Sequence, residues 1–231
     1  MAENKVDAKY SRRFLLFSAS FIICLLTANI ASVKIFDFFG VFMDAGTIVF
    51  PLSYIFGDVL TEVYGFRRSR MVIWLGFAGN LFLVLTLMVA QILPPAPFWD
   101  GQEAYARILG FMPRIFVASL CAYLVGEFLN SFVLSKLKVA CQGRYLWLRV
   151  VLSTIVGQLF DSIIFGCIAF GGTIPLVDLQ AYVLVQWVFK SGYEIVISPL
   201  TLRVIAWLKK KEQLDTYDYG VRYNPFKIGD N

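Results

Sequence analysis

The sequence has no histidine and little charge. None of its 231 residues is histidine, and charged residues make up only 16% of the chain. Without histidine, a Ser-His-Asp triad, a Cys-His pair, a histidine-based zinc site and a histidine proton relay are excluded. Soluble domains carry about 25% charged residues, so this chain could not cover a soluble fold with polar groups. Its 58% hydrophobic content also excludes an intrinsically disordered chain.

Cysteine is also scarce. The four cysteines have no CxxC spacing, and three of them lie in apolar runs, where a cysteine usually acts as a small buried apolar residue. We therefore expect no disulfide framework, no metal site and no cofactor. The four are Cys24, Cys121, Cys141 and Cys167.

What the chain does contain is six apolar runs, each long enough to cross a bilayer, which takes about 20 helical residues. The first is predicted to be a retained helix, because it is too long for a removable signal peptide and lacks a small-residue cleavage site. The second is predicted to be a broken or re-entrant helix, because Pro51 lacks an amide hydrogen and Gly46 and Gly57 loosen the helix. The spans are about 14–33, 45–64, 71–93, 113–135, 150–171 and 181–207.

The basic residues predict the orientation of these spans. With the N-terminus in the cytoplasm, the inner segments hold 17 lysines and arginines and the outer ones hold three, namely Lys34, Arg107 and Arg114. This asymmetry accounts for the net charge of +5 without a nucleic-acid partner. We predict an all-α integral membrane protein with both ends inside, in which 1–12 and a loosely ordered 208–231 are cytoplasmic tails and 13–207 is the transmembrane domain. Three spans followed by three spans of opposite topology are also compatible with a 3+3 inverted repeat.

The informative residues are the ionisable ones within the spans. A charge at the bilayer centre costs about 2.5–3.5 kcal/mol on the insertion scale, so these side chains are expected to face the interior. There they could pair with one another, bind protons or line a wet cavity. They are Asp58, Glu62, Glu127, Asp161, Lys190 and Glu194.

Helical spacing places these residues on shared faces together with other polar groups. Glu62, one turn from Arg67, is interpreted as an interfacial partner, and Lys190 and Glu194 could neutralise each other. Because acids outnumber bases, some acids need a proton, an ion or a ligand that donates hydrogen bonds. The groups that share faces are Tyr54 with Asp58 and Glu62, Glu127 with Asn130, Gln158 with Asp161, and Gln186 with Lys190 and Glu194; Asn29 is a further deep amide in the first span.

Several segments together resemble the queuosine precursor transporter family, bacterial six-helix membrane proteins also called the vitamin uptake transporter family. The resemblance covers nearly the whole chain apart from the tails and the outer loop 94–112. It is carried by FPLSYIFGDVLTEVYG (50–65), ANIASVK (28–34), VGEFLNSFVLSKLK (125–138), STIVGQLFDSIIFGCIAFGG (153–172) and VFKSGYEIVISP (188–199).

The resemblance implies uptake of 7-deazaguanine bases, preQ0 and preQ1, across the bacterial inner membrane; some related chains carry queuine instead. The family's polar positions fall on Asp58, Glu127, Asn130, Asp161 and Lys190, and members vary at the second and third of these. The implied partners are a deazapurine and the lipid bilayer, with a homodimer left open.

The residues suit such a ligand. A carboxylate can accept the two adjacent donors of a guanine-like edge, and Lys190, Asn130 or Gln158 could donate to its carbonyl group. Phe50, Tyr54 or Trp187 could stack on the ring. The predicted substrate-binding residues are Tyr54, Asp58, Glu127, Asn130, Gln158, Asp161, Lys190 and Asn29, with Glu62 and Glu194 as coupling or pairing candidates.

Three other functions are weighed against a secondary transporter. The chain could be the membrane subunit of an ATP-driven vitamin uptake complex; because it has no P-loop, the ATPase would be a separate protein. An intramembrane enzyme is disfavoured, because DGQEAYAR (100–107) has the wrong spacing for a lipid-headgroup transferase and no metal cluster or GxSxG motif occurs. A channel is the third alternative, although the sequence has no filter motif.

Overall fold

The computed structural model describes residues 11–38, 41–109 and 113–226, which form seven α-helices and one short hairpin. The strands β1 (Ile35–Phe38) and β2 (Val41–Asp44) pair antiparallel, with Ile35 opposite Asp44, and a 3₁₀ turn (Ala45–Ile48) follows them. The helices are α1 (Arg12–Ala31), α2 (Phe50–Tyr64), α3 (Phe66–Ile92), α4 (Gln102–Leu109), α5 (Pro113–Ala140), α6 (Leu146–Phe170) and α7 (Leu176–Glu212). The prediction of a helical bundle is confirmed, and the hairpin lies between the first two predicted spans, where no secondary structure was predicted.

Among the described residues, four helices are long and apolar enough to cross a membrane, which makes the chain a multi-pass membrane protein. They are α1, α3, α6 and, in α5, the stretch Val117–Ala140. The bundle exposes large apolar side chains such as Phe82 and Val196 while it buries charged ones such as Glu62 and Arg149. This distribution is the reverse of that in a soluble domain, and it fits a protein whose solvent is lipid.

The second predicted span is interrupted near its start. Its helix, α2, has 15 residues and begins at Phe50, after the 3₁₀ turn. Pro51 lies in the first helical turn, where its missing amide hydrogen breaks no helical bond. The proline therefore starts the helix and does not kink it, and the interruption lies in the 3₁₀ turn upstream.

The two ends of the described chain meet at the same end of the bundle. Arg13, at the start of α1, forms an ion pair with Glu212, the last residue of α7, with 2.9 Å between Nη1 and Oε1. The junction of α2 and α3 at Gly65 lies at this end as well, where Thr216 donates its backbone N–H to the carbonyl of Val63. We call this end, which also carries Lys138, the basic end.

The segment after α7 is folded back on the bundle, so the prediction of a loosely ordered tail is wrong for residues 213–226. Asp218 is buried and accepts hydrogen bonds from the backbone N–H of Phe66 (2.9 Å) and from Ser135. Arg70 donates to the carbonyl of Asn224 (2.7 Å), and Trp74 donates to that of Pro225 (2.7 Å). These backbone carbonyls act as acceptors whatever side chains they carry, so a polar composition did not predict that the segment docks.

Candidate functional site

Polar side chains from four helices converge inside the bundle, and we call this group the polar cluster. Helices α2, α5 and α7 each supply two of these side chains, and α6 supplies three. All of them except Lys190 are buried, and the side chain of Lys190 is only 14% exposed. The members are Tyr54, Asp58, Glu127, Asn130, Thr154, Gln158, Asp161, Lys190 and Glu194.

Three of the four carboxyl groups of the cluster have a partner on a neighbouring helix. Asp58 accepts a hydrogen bond from Nδ2 of Asn130 at 2.8 Å. Asp161 pairs with Lys190, with 2.9 Å between Oδ2 and Nζ. The possible Lys190–Glu194 pairing within α7 is replaced by these contacts, which join α5 to α2 and α7 to α6.

Glu194 is held by two uncharged donors of α6. Thr154 donates to Oε2 at 2.8 Å, and Gln158 donates to Oε1 at 2.9 Å. Thr154 was not singled out in the sequence, although it lies four residues before Gln158 and therefore on the same helix face. That spacing was the signal that could have found it.

Several polar atoms of the cluster have no hydrogen-bond partner within the described chain. They belong to Tyr54, Glu127, Asn130 and Gln158, and both carboxyl oxygens of Glu127 are among them. A buried polar atom without a partner costs about 1–3 kcal/mol. The atoms left over comprise acceptors and a hydroxyl, and a ligand with several hydrogen-bond donors would satisfy them.

Two glycines bring α5 and α6 into close contact beside the cluster. A Cβ atom at Gly157 would lie 2.8 Å from Cβ of Asn130, and one at Gly126 would lie 2.9 Å from Cβ of Asp161. Any larger residue would push the helices apart. Glycine at these positions thus sets the distance between the polar groups of the two helices.

Of the three aromatic residues considered for stacking, Tyr54 belongs to the cluster and Phe50 borders it. The Phe50 ring lies under Lys190, with 4.8 Å from Nζ to the ring centroid. Tyr54 is fully buried, and its ring centroid is 5.4 Å from that of Phe50. Trp187 instead donates its indole N–H to the backbone carbonyl of Ile155 at 3.0 Å.

Two residues predicted to bind substrate or couple transport have partners elsewhere. Asn29 donates to Oδ1 of Asn80 at 2.6 Å and so joins α1 to α3. Glu62 is fully buried, and it receives 2.6 Å hydrogen bonds from Arg149 and from Lys209. The interpretation of Glu62 as an interfacial partner of Arg67 is wrong, because Glu62 lies inside the bundle between α6 and α7.

Glu62 is the centre of a buried ion-pair network at the basic end. Lys138 of α5 lies 3.4 Å from its carboxyl group and also pairs with Asp215, which Lys209 contacts as well. Partial burial favours a raised pKa at Asp215, but hydrogen bonds from the two lysines bring its pKa below the ordinary value. The network comprises Glu62, Lys138, Arg149, Lys209 and Asp215. Its basic members were counted in the sequence only as orientation signals.

An apolar groove of about 360 Å³ lies apart from the polar cluster, between α6 and α7. Leu159, Ile163, Leu179 and Trp187 are among its lining residues. Its lining is almost entirely apolar, so it offers little to a polar ligand. The polar cluster is therefore the candidate site.

Comparison with known proteins identifies the family. Residues 44–204 match the family described as "Putative vitamin uptake transporter". The chain belongs to this family. The matched range contains every member of the polar cluster and ends before Lys209 and the docked segment.

Curated relatives of this family member carry related names. The chain is 36% identical over 149 residues to the "Probable queuosine precursor transporter" of Bacillus subtilis (strain 168), covering 64% of this chain and 65% of that protein. It is 31% identical over 125 residues to the "Queuosine precursor transporter" of Escherichia coli (strain K12), covering 54% of each. The chain thus matches less than two thirds of the length of these relatives. No solved structure matches it.

Proposed function

We propose that this chain is a secondary transporter that imports 7-deazaguanine precursors of queuosine, such as preQ0 and preQ1, across the bacterial inner membrane. Two relatives are named as transporters of queuosine precursors, which supports the substrate class and favours transport over catalysis. The polar cluster supplies the chemistry that such a base needs.

The proposed topology has six spans, formed by α1, α2, α3, α5, α6 and α7, with both ends in the cytoplasm. The ion pair between Arg13 and Glu212 supports an even number of crossings, because it joins the start of the first span to the end of the last. The clustering of basic residues at that end supports placing it inside. In this arrangement the transmembrane domain covers 13–207, and α4 lies in the outer loop.

We assign the guanine-like edge of the base to Asp58. A carboxylate accepts the ring N–H and the amino group side by side, and the Asn130 amide that already bonds to Asp58 would hold it in place. Lys190 or the amide of Gln158 would donate to the carbonyl of the base. Phe50 and Tyr54 are the proposed stacking partners.

The observation that carries this proposal is the set of unpartnered polar atoms on Tyr54, Glu127, Asn130 and Gln158. Groups that served merely to join helices would be expected to satisfy one another, as the Asn29–Asn80 pair does in part. An interior that retains free acceptors is suited to a ligand that enters and leaves.

The decisive experiment measures growth and tRNA queuosine in a biosynthesis-deficient strain supplied with trace preQ0 or preQ1, with and without this gene. We expect the gene to restore queuosine. A gene that leaves queuosine absent at both supplements would contradict the proposal. Uptake by the purified protein in liposomes separates a secondary transporter from the subunit of an ATP-driven complex, which would bind the base but not move it alone.

The variant Asp58→Asn tests the site itself. It places a donor against the donors of the ligand, so affinity should fall about 30-fold, equivalent to about 2 kcal/mol. The melting temperature of the empty protein should hold or rise, because a costly buried charge is removed. The control is Asn29→Ala, which removes a partly buried amide outside the cluster and should keep the affinity. If Asp58→Asn binds normally but melts much lower, Asp58 is structural.

A further inference from the structure

Glu127 differs from the other carboxyl groups of the polar cluster. Its side chain is fully buried, and neither carboxyl oxygen has a hydrogen-bond partner within the described chain. Asp58, Asp161 and Glu194 all have partners from neighbouring helices. Glu127 is therefore a carboxyl group whose partner the described chain does not provide.

The charged groups that face Glu127 are acids. Negative charges on Asp58 of α2, Glu194 of α7 and Asp161 of α6 would each disfavour a negative charge on it. The basic side chain of the cluster, Lys190, is already bound to Asp161. On its own helix, Tyr123 donates its hydroxyl to the carbonyl of Ile73 on α3.

The fold makes room for Glu127 at a particular place. A Cβ atom at Gly57 would overlap Oε1 of Glu127, so glycine opens a notch in α2 that the carboxyl group occupies. The ring of Phe21 on α1 closes the notch, 3.5 Å from that Cβ position. Asp58 accepts a hydrogen bond from Asn130, which lies one turn after Glu127 on α5, so the two carboxyl groups border the same part of the cluster.

A carboxylate buried among other acids needs a positive charge or a proton. We propose that Glu127 binds the positive charge of an amine-bearing 7-deazaguanine, and so selects preQ1 over preQ0. The aminomethyl group of preQ1 is a cation with three donors, whereas the nitrile of preQ0 is neutral and offers an acceptor alone. This inference rests on the proposed function and on the placement of the guanine-like edge at Asp58.

The test measures affinity for preQ1 and preQ0 by calorimetry or ligand-induced melting, on the full chain in detergent. Wild type should bind preQ1 at least tenfold more tightly. Glu127→Gln should weaken preQ1 at least tenfold and leave preQ0 unchanged or tighter, because an amide keeps the shape and loses the charge. Glu127→Asp, which keeps the charge, should retain a preference for preQ1.

The possible outcomes separate this inference from the proposed function. Equal affinities of wild type for the two bases would overturn the inference alone, even if the variants failed to fold. So would an equal loss of both bases in Glu127→Gln. If Glu127→Gln binds both bases as tightly as wild type but transports neither, Glu127 carries a proton and not the cation of the ligand, which would also overturn the inference. Binding of neither base by wild type would overturn the proposed function, and the inference with it.

Discussion

At the level of single residues, the Asp161–Lys190 pair has two interpretations. It is either part of the substrate site or an ion pair that holds α6 and α7 together. Asp161→Asn and Lys190→Ala should each abolish uptake while the protein remains inserted. Each removes one member of a pair whose side chains are 4% and 14% exposed, which leaves the other charge uncompensated in a medium where that is costly. Uptake and membrane content, measured in the same cells, check this.

The double variant Asp161→Asn with Lys190→Gln separates the two interpretations. It removes both charges, so the melting temperature should recover towards that of wild type. Uptake should stay lost, because the long ammonium side chain proposed to donate to the carbonyl of the base is replaced by a shorter, uncharged amide. If uptake returns with stability, the pair serves only to hold the helices together.

Glu62 is predicted to matter for stability more than for binding. Glu62→Gln would leave Arg149 and Lys138, which are 1% and 2% exposed, facing each other without a carboxylate between them. Removing one partner of a buried ion pair costs about 3–5 kcal/mol, so the melting temperature should fall strongly. Affinity for the base should be nearly unchanged in the protein that remains folded.

Asp215→Asn is the matched control for Glu62→Gln. Asp215 pairs with the same two lysines, but its side chain is 42% exposed. Exposed ion pairs contribute roughly 0–1 kcal/mol, so this variant should melt close to wild type. Equal melting of Glu62→Gln and wild type would contradict the assignment of Glu62 to a buried network.

Much of the polar cluster could be predicted from the sequence, because a charge within an apolar span must face the interior. That argument identified Asp58, Glu127 and Asp161 and the residues on their helix faces. It could not say which group pairs with which, because pairing depends on how the helices are rotated and spaced. Glu194 could have been matched to Lys190 by spacing alone, yet its partners are on α6.

At the scale of the element, the docked segment 213–226 is tied to the start of α3. The N–H of Phe66 is one of the helix donors that lack a helical partner, and Asp218 accepts its hydrogen bond at 2.9 Å. Gly65, with φ of +84°, makes the turn before it, and a Cβ atom there would lie 2.8 Å from Asp218. Glycine thus serves both the turn and the docking.

Asp218→Ala should release this segment. It removes the acceptor for Phe66 and Ser135, at a cost of about 1–3 kcal/mol, and limited proteolysis should then cut between residues 213 and 226 faster than in wild type. The control is Tyr219→Ala, since Tyr219 is 67% exposed. Cleavage of Asp218→Ala at the wild-type rate would show that the segment is held mainly by other contacts.

The elements themselves were predicted unevenly. Long apolar runs identified α1, α3, α5 and α6 well, because length and apolarity are the properties that a bilayer requires. The hairpin at 35–44 and the docked segment were missed, because both depend on backbone groups whose partners are distant or set by a turn. Tyr223 illustrates this, since its ring packs between Phe66 and Phe132, which lie far away in the sequence.

At the scale of the whole molecule, the proposed topology makes a simple prediction. A reporter that is active only outside the cytoplasm should give no signal when fused after residue 231. The same reporter inserted in the segment between α3 and α4 should give a strong signal, because the proposal places that segment outside. Strong activity at residue 231, or silence at both positions, would contradict six spans with both ends inside.

The wide sequence separation within the ion-pair network has a consequence for synthesis. Glu62 pairs with Arg149, 87 residues later, and with Lys209, 147 residues later. At roughly 5–20 residues per second, a ribosome takes several seconds or more to supply these partners after α2 has emerged. Until then, an ionised Glu62 has no partner from α6 or α7, and placing it deep in the bilayer is costly. The ion-pair network is therefore completed only when α7, the last helix, has been made. A chain truncated before α7 should fail to fold into a stable bundle.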